Sequence, residues 1–133
     1  MRSDMASLNT GKAIAQGSHA STMFMHDMQK RAELFKNNTK TLPSVEAFHR
    51  WCGIRGFGTV ITLDIYDESQ LRETIRLAKA SDLRADIVVD DTYPLQDGKT
   101  MHYFPVITCG YVFSPDGFKP VCLQGFKLYP RDL

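Results

Sequence analysis

Lys12, Gln16 and His19 are spaced so that, wound as an α-helix, they fall within an arc of about 60°, while Ala13, Ile14, Gly17, Ser21, Phe24 and Met25 point elsewhere. An ammonium, an amide and an imidazole on one stripe can hold a negative charge, fix a hydrogen-bonding partner and move a proton. Lys12 stands at about the third position of this helix, where a cation opposes the positive end of the macrodipole at a cost of roughly 0.3 kcal/mol or more. An anion docked on the free backbone N–H groups would offset that cost, and Gly11 leaves the approach open. The alternative is a lysine extended into water.

Other candidate chemistry is weaker. His49-x-x-Cys52 has the spacing of a metal-ligand pair on a helix, but no second pair completes a tetrahedral site, so no metal is expected. The Gly-rich run GIRGFG precedes a strand pattern and not a helix, which makes it a turn and not a phosphate cradle. Cys109 lies inside an apolar strand pattern and reads as inert packing. Three cysteines, Cys52, Cys109 and Cys122, are too few and too widely spaced for a disulfide framework. Asn37, Asn38 and Thr39 spell a glycosylation sequon by letter only, with no apolar segment of signal-peptide length before them.

The elements that must position the stripe follow from periodicity. Asn9 is a good N-cap for a long helix over about residues 10–35. Ser44 is placed to cap a second helix carrying Val45, Phe48, Trp51 and Cys52. TVITLDIY (59–66) has the β-branched and aromatic content of a strand. Asp67 followed by Gln70 makes a capping box for a helix from Glu68 to about Ser81 with Leu71, Ile75 and Ala78 inward. ADIVVD (85–90) is a second strand, DDTYPLQDGKTMHY (90–103) a loop or irregular hairpin, and FPVITCGYVF (104–113) a third strand. SPDG is a turn, Pro120 limits any helix in FKPVCLQ, and GFKLY (125–129) is a last short strand. This order predicts one α/β domain over residues 1–133 with a small parallel or mixed sheet of about four strands. Only MRSDM precedes the first helix, so either a short edge strand starts the fold or residues are missing upstream.

With 133 residues, 43% apolar and 23% charged, the chain suits one ordinary globular domain and neither a disordered nor a fibrous chain. No run of 18 apolar residues occurs, and the reading is a cytoplasmic protein that spans no membrane. Residues 1–58 hold eight Lys/Arg against four Asp/Glu, and residues 59–133 eight against eleven. The basic front half suits either an anionic partner or a solvated helix surface.

The segment RSDMASLNTGKAIAQGSHAS resembles the opening of the type 2 peptidyl-tRNA hydrolases, whose signature is a basic-acidic pair followed by G-K-x-x-A-Q-x-x-H-A on the first helix. Gly11, Lys12, Ala15, Gln16, His19 and Ala20 stand in that register. The stretch from Phe57 to Asp91 is similar to the family's strand, capped helix and strand, and QGFKLY resembles its closing segment. The family's D-A-G-x-T reads Asp90-Asp91-Thr92-Tyr93-Pro94 here. On this alignment Asp90 matches the family's aspartate and Thr108 the threonine of the next strand. The resemblance implies helices on both faces of the sheet, a homodimer, no cofactor, and hydrolysis of the ester that joins a peptide to the 3′ ribose of tRNA.

In that chemistry Lys12 stabilises the oxyanion or holds a terminal phosphate, and Gln16 and Thr108 position the water or the ribose. Asp90 accepts the water's proton, with His19 or Asp91 as alternatives. Gly11 and Thr92 belong with the substrate-binding group, and Arg2, Lys30, Arg31 and Lys36 offer charge to the tRNA backbone. Two other readings remain open: a tRNA- or protein-binding module of the same fold that has lost catalysis, and a dimerising interaction protein without nucleic acid.

Overall fold

The structure is a computed structural model that describes residues 1–37 and 42–130; Asn38 and Thr39 of the sequon lie outside them. Three helices carry the chain: α1 (Thr10–Phe35), α2 (Pro43–Gly53) and α3 (Glu68–Ala80). The Asn9 side chain caps α1 by accepting from Lys12 N at 3.0 Å. Asp67 caps α3 by accepting from Gln70 N at 2.8 Å, and the Gln70 amide oxygen accepts in turn from Tyr66 N. At α2 the expected cap is displaced. Leu42 is the N-cap without a side-chain bond, and Pro43 occupies the first turn, where a missing N–H costs nothing; Ser44 lies inside the helix.

Two long strands, β1 (Ala85–Asp97) and β2 (Thr100–Val112), pair antiparallel. Gly98, at φ 59°, takes the first place of the two-residue turn between them, where a type II′ hairpin needs a left-handed residue. The polar stretch after Asp90 is therefore hairpin. Two irregularities interrupt the ladder. Val88 pairs with Cys109 but Val89 with Ile107, leaving Thr108 as an extra residue on β2. Asp90 pairs with Val106 but Tyr93 with Phe104, leaving an extra residue on β1 around Asp91 and Thr92.

The expected sheet of about four strands is not formed; among the described residues the ladder proper has two. Residues 59–66 shrink to isolated bridges, Arg2 with Ile65 in parallel and Leu63 with Leu128 antiparallel. The hydrogen bonding of a mixed sheet nevertheless continues past β2: Arg2 N donates to Thr108 O, Ser3 N to Ile65 O, and Asp64 N to Lys127 O. A strand needs partners as long as itself, and here residues 1–3 and 127–129 are the partners, while Val60 and Ile61 stay exposed.

Neighbours along a strand point to opposite faces, and the hairpin is covered on both. On one face Ala13 and Ala20 of α1 pack with Val88, Tyr93 and Cys109. On the other, Leu71, Ile75 and Ala78 of α3 pack with Ala85 and Ile107. Gly110 permits the close approach of α3: a Cβ there would lie 2.7 Å from Asp86 O and 3.0 Å from Ile75 Cδ1. The second half of α1 meets α2 through Phe24, Met28, Phe48 and Phe113. Each buried Val, Leu, Ile, Phe or Met among them contributes about 1.5–3 kcal/mol. Arg84 binds Asp27 through two bonds of 2.6 and 2.9 Å and so ties α1 to the entry of β1. The GIRGFG turn is shaped by Trp51, whose indole lies where a Gly58 Cβ would be and donates to Thr59 O at 2.9 Å.

Candidate active site

α1 lies along the hairpin so that its first three turns face the two irregular places in the ladder. One turn after Lys12, the Gln16 side chain is 2% exposed and bridges the strands. The Thr108 hydroxyl donates to Gln16 Oε1 at 2.6 Å, and Gln16 Nε2 donates to Asp90 Oδ2 at 2.6 Å. This chain runs one way only, because a carboxylate has nothing to donate and therefore takes the amide's N–H and leaves its oxygen for the hydroxyl. Asp90 Oδ1 accepts from the backbone N–H of Thr92 at 3.0 Å and from its hydroxyl at 3.3 Å. His19 Nε2 stands 3.9 Å from Asp90 Oδ2, with the imidazole 53% exposed and the carboxylate 11%.

The bulges explain this convergence. In a regular strand Thr108 and Cys109 would face opposite sides of the sheet. With Thr108 as the extra residue both turn toward α1, where the Cys109 thiol contacts Gln16 O. On β1 the extra residue folds Thr92 back onto Asp90. Arg2 grips the β2 bulge: its N–H donates to Thr108 O at 3.1 Å and its Nη1 to Ile107 O at 2.7 Å. The rest of the guanidinium pairs with Asp4 at 2.8 and 2.9 Å. Arg2 is thus spent inside the fold.

Burial by itself would push the Asp90 carboxyl up. The bonds from Gln16 and Thr92, with the nearby His19, outweigh burial and hold it below the usual carboxylate range. Asp90 is therefore ionised at neutral pH, a strong acceptor and a weak keeper of protons. Burial dominates at Cys109 and pushes its thiol up, in keeping with an unreactive packing residue.

Lys12 reaches a different point of β1. Its Nζ donates to Pro94 O at 2.7 Å and sits 4.8 Å from the centroid of the Tyr93 ring. It forms no ion pair with Asp90. The N–H groups of Thr10 and Gly11 beside it have no acceptor among the described residues, and a Cβ at Gly11 would meet only Asn9 Oδ1, at 3.6 Å. Lys30 lies on the angular line of Lys12 but 18 residues on, about 27 Å along the helix. The Arg31 guanidinium lies 5.8 Å over the Phe35 ring, and Lys36 is paired with Glu33. The structure thus brings Gln16, His19, Asp90, Thr92 and Thr108 together, puts Lys12 and Gly11 at the adjoining end of α1, and leaves Lys30 and Arg31 distant. The residue that sequence reasoning missed is Tyr93, which is 0% exposed. Nothing in its polar surroundings marks it.

Among the described residues no group of three or more His, Cys, Asp or Glu side chains is placed to hold a metal ion, and no helix is long and apolar enough to cross a membrane. No curated protein matches the chain. A family model does: the one described as peptidyl-tRNA hydrolase PTH2 matches residues 1–109, a span that contains every residue of the constellation.

Proposed function

Because the chain belongs to the peptidyl-tRNA hydrolase PTH2 family, we propose that it hydrolyses the ester between a peptide and the 3′ ribose of tRNA, releasing free tRNA and peptide. The observation that carries this reading is the directional chain from Thr108 through Gln16 to an ionised Asp90 beside a half-exposed imidazole. Gln16 and Thr108 are buried and act by orienting Asp90. The carboxylate accepts a hydrogen bond from the attacking water and aims its lone pair at the ester carbonyl carbon. As the water oxygen bonds to that carbon, negative charge develops on the carbonyl oxygen, and Lys12 with the open Thr10 and Gly11 amides supplies donors for it. Collapse of the tetrahedral intermediate breaks the bond to the ribose oxygen, which leaves with the water's proton. His19, whose Nε2 stands 3.9 Å from Asp90 Oδ2, carries that proton.

Thr92 and Gly11 border the substrate, and Lys30 and Arg31 offer charge to the tRNA backbone further along α1. The reading places the protein in the cytoplasm, where translation supplies the substrate, and as a homodimer, for which the exposed Ile54, Phe57, Val60 and Ile61 provide apolar surface.

The test is single-turnover hydrolysis of a model peptidyl-tRNA. Asp90→Asn should lower the rate by about a hundredfold or more, and His19→Ala by about tenfold. If the wild-type protein leaves the substrate intact while Lys12→Ala still weakens tRNA binding, the chain is a binding module. If neither hydrolysis nor salt-sensitive tRNA binding is found, the interaction-protein reading holds.

A further inference from the structure

A lysine has a long flexible stem, and in the first turn of a helix the macrodipole pushes its ammonium away. Lys12 is nonetheless held. The carbonyl of Pro94 takes one of its three donors at 2.7 Å, and the face of the Tyr93 ring lies 4.8 Å from the nitrogen. The ring cannot swing aside, because Tyr93 is wholly buried in the cluster of Leu8, Ala13, Val88 and Cys109, and its hydroxyl is hydrogen-bonded to Ser7 Oγ at 3.1 Å. Tyr93 is also the first paired residue after the β1 bulge, so the irregularity that folds Thr92 onto Asp90 sets the ring under Lys12. Residues 90–94 are those by which the chain departs from the D-A-G-x-T pattern.

We propose that Tyr93 is the positioning residue for Lys12: its ring face and the carbonyl that follows fix the ammonium over β1 before any substrate arrives. A cation ordered in advance does not lose its freedom on binding. The proposal rests on the hydrolase reading for its catalytic consequence but not for its geometry.

A double-mutant cycle tests it. Tyr93→Leu should lower kcat/KM about tenfold in the otherwise wild-type protein and less than about twofold in Lys12→Ala. Tyr93→Phe keeps the ring and should stay within about twofold of wild type. Should Tyr93→Leu fail to fold, pentafluorophenylalanine at position 93 keeps the shape and removes the electron-rich face, and it should reproduce the loss only where Lys12 is present. Equal losses in both backgrounds would mean a general structural role and overturn the proposal. Acylation of Lys12 by acetic anhydride, followed by mass spectrometry, reads the geometry without activity. Lys12 should react several-fold faster in the ring-altered proteins than in wild type and Tyr93→Phe, with Lys30 unchanged. That result in a protein without hydrolase activity supports the positioning and removes only the function; a Lys12 reactivity indifferent to the residue at 93 overturns the positioning whatever the activity.

Discussion

Replacing Gln16 by leucine cuts the chain that aims Asp90 at both ends. Thr108, wholly buried, loses its 2.6 Å acceptor and keeps only the weak Cys109 Sγ at 3.8 Å, and a buried donor so underpaired costs about 1–3 kcal/mol. Asp90 loses its 2.6 Å donor, a bond to a charge that is worth about 1.5–3 kcal/mol. Because Asp90 keeps both Thr92 bonds and touches solvent, the sum falls toward the lower end, about 3 kcal/mol, or a fall of roughly 10 °C in Tm for a chain of this size. Adding Thr108→Val removes the stranded hydroxyl, so the double variant should be more stable than Gln16→Leu alone, by about 1 kcal/mol. The pH dependence has a definite sign. Asp90 titrates below its unfolded value, so its contribution is present above the unfolded pKa of about 3.9 and is lost as pH falls through the lower folded value. The gap between wild type and Gln16→Leu, measured by urea unfolding, should therefore be widest at neutral pH and narrow toward pH 3. A Tm for Gln16→Leu within about 2 °C of wild type, or a double variant less stable than the single, would refute the buried chain. A gap independent of pH would refute the part played by the carboxylate.

Gly11→Ala meets only Asn9 Oδ1 at 3.6 Å and gains helix propensity, so thermal unfolding should show stability unchanged or raised by up to about 1 kcal/mol, while kcat/KM falls because the approach to the α1 amides narrows. Gly110→Ala drives a Cβ to 2.7 Å from Asp86 O beneath Ile75 and should cost about 1–3 kcal/mol in chemical denaturation. Arg2→Lys surrenders the grip on Ile107 O and the paired bonds to Asp4; it should lower kcat and leave the salt dependence of tRNA binding unaltered, whereas a smaller salt slope would make Arg2 a phosphate contact after all.

What the sequence made legible is what local rules decide. Asn9 and Asp67 announce the helices they cap, and the periodic apolar residues of α1 and α3 name the faces those helices bury. The stripe of Lys12, Gln16 and His19 is likewise a property of one helix. The rest depends on partners that periodicity does not see. Residues 59–66 have the composition of a strand, yet their extent is set by the three-residue segments on either side. Strict alternation along β2 would send Thr108 and Cys109 to opposite faces, and no residue type near them marks the bulge that unites them. Arg2 reads as a free cation because its two acceptors lie 2 and 105 residues away. Tyr93 sits in a stretch whose polar neighbours point to an exposed loop, while it is α1, packed across the strand, that buries it.

The paired irregularities in the hairpin cancel. Before them Ala85 faces Val112, a pair whose numbers total 197; between them Asp90 faces Val106, one fewer; beyond them Tyr93 faces Phe104, 197 again. The outer arm is thus back in step with the base, and only the short stretch holding the chemistry is offset. Deleting Thr108 alone would remove the β2 irregularity and keep every pair from Val89–Ile107 out to the turn, while taking away the hydroxyl that donates to Gln16. Deleting Thr108 and Asp91 together would restore an unbroken ladder, giving a sound protein with nothing left to catalyse. Loss of activity and loss of fold are therefore separable in this chain by a single codon.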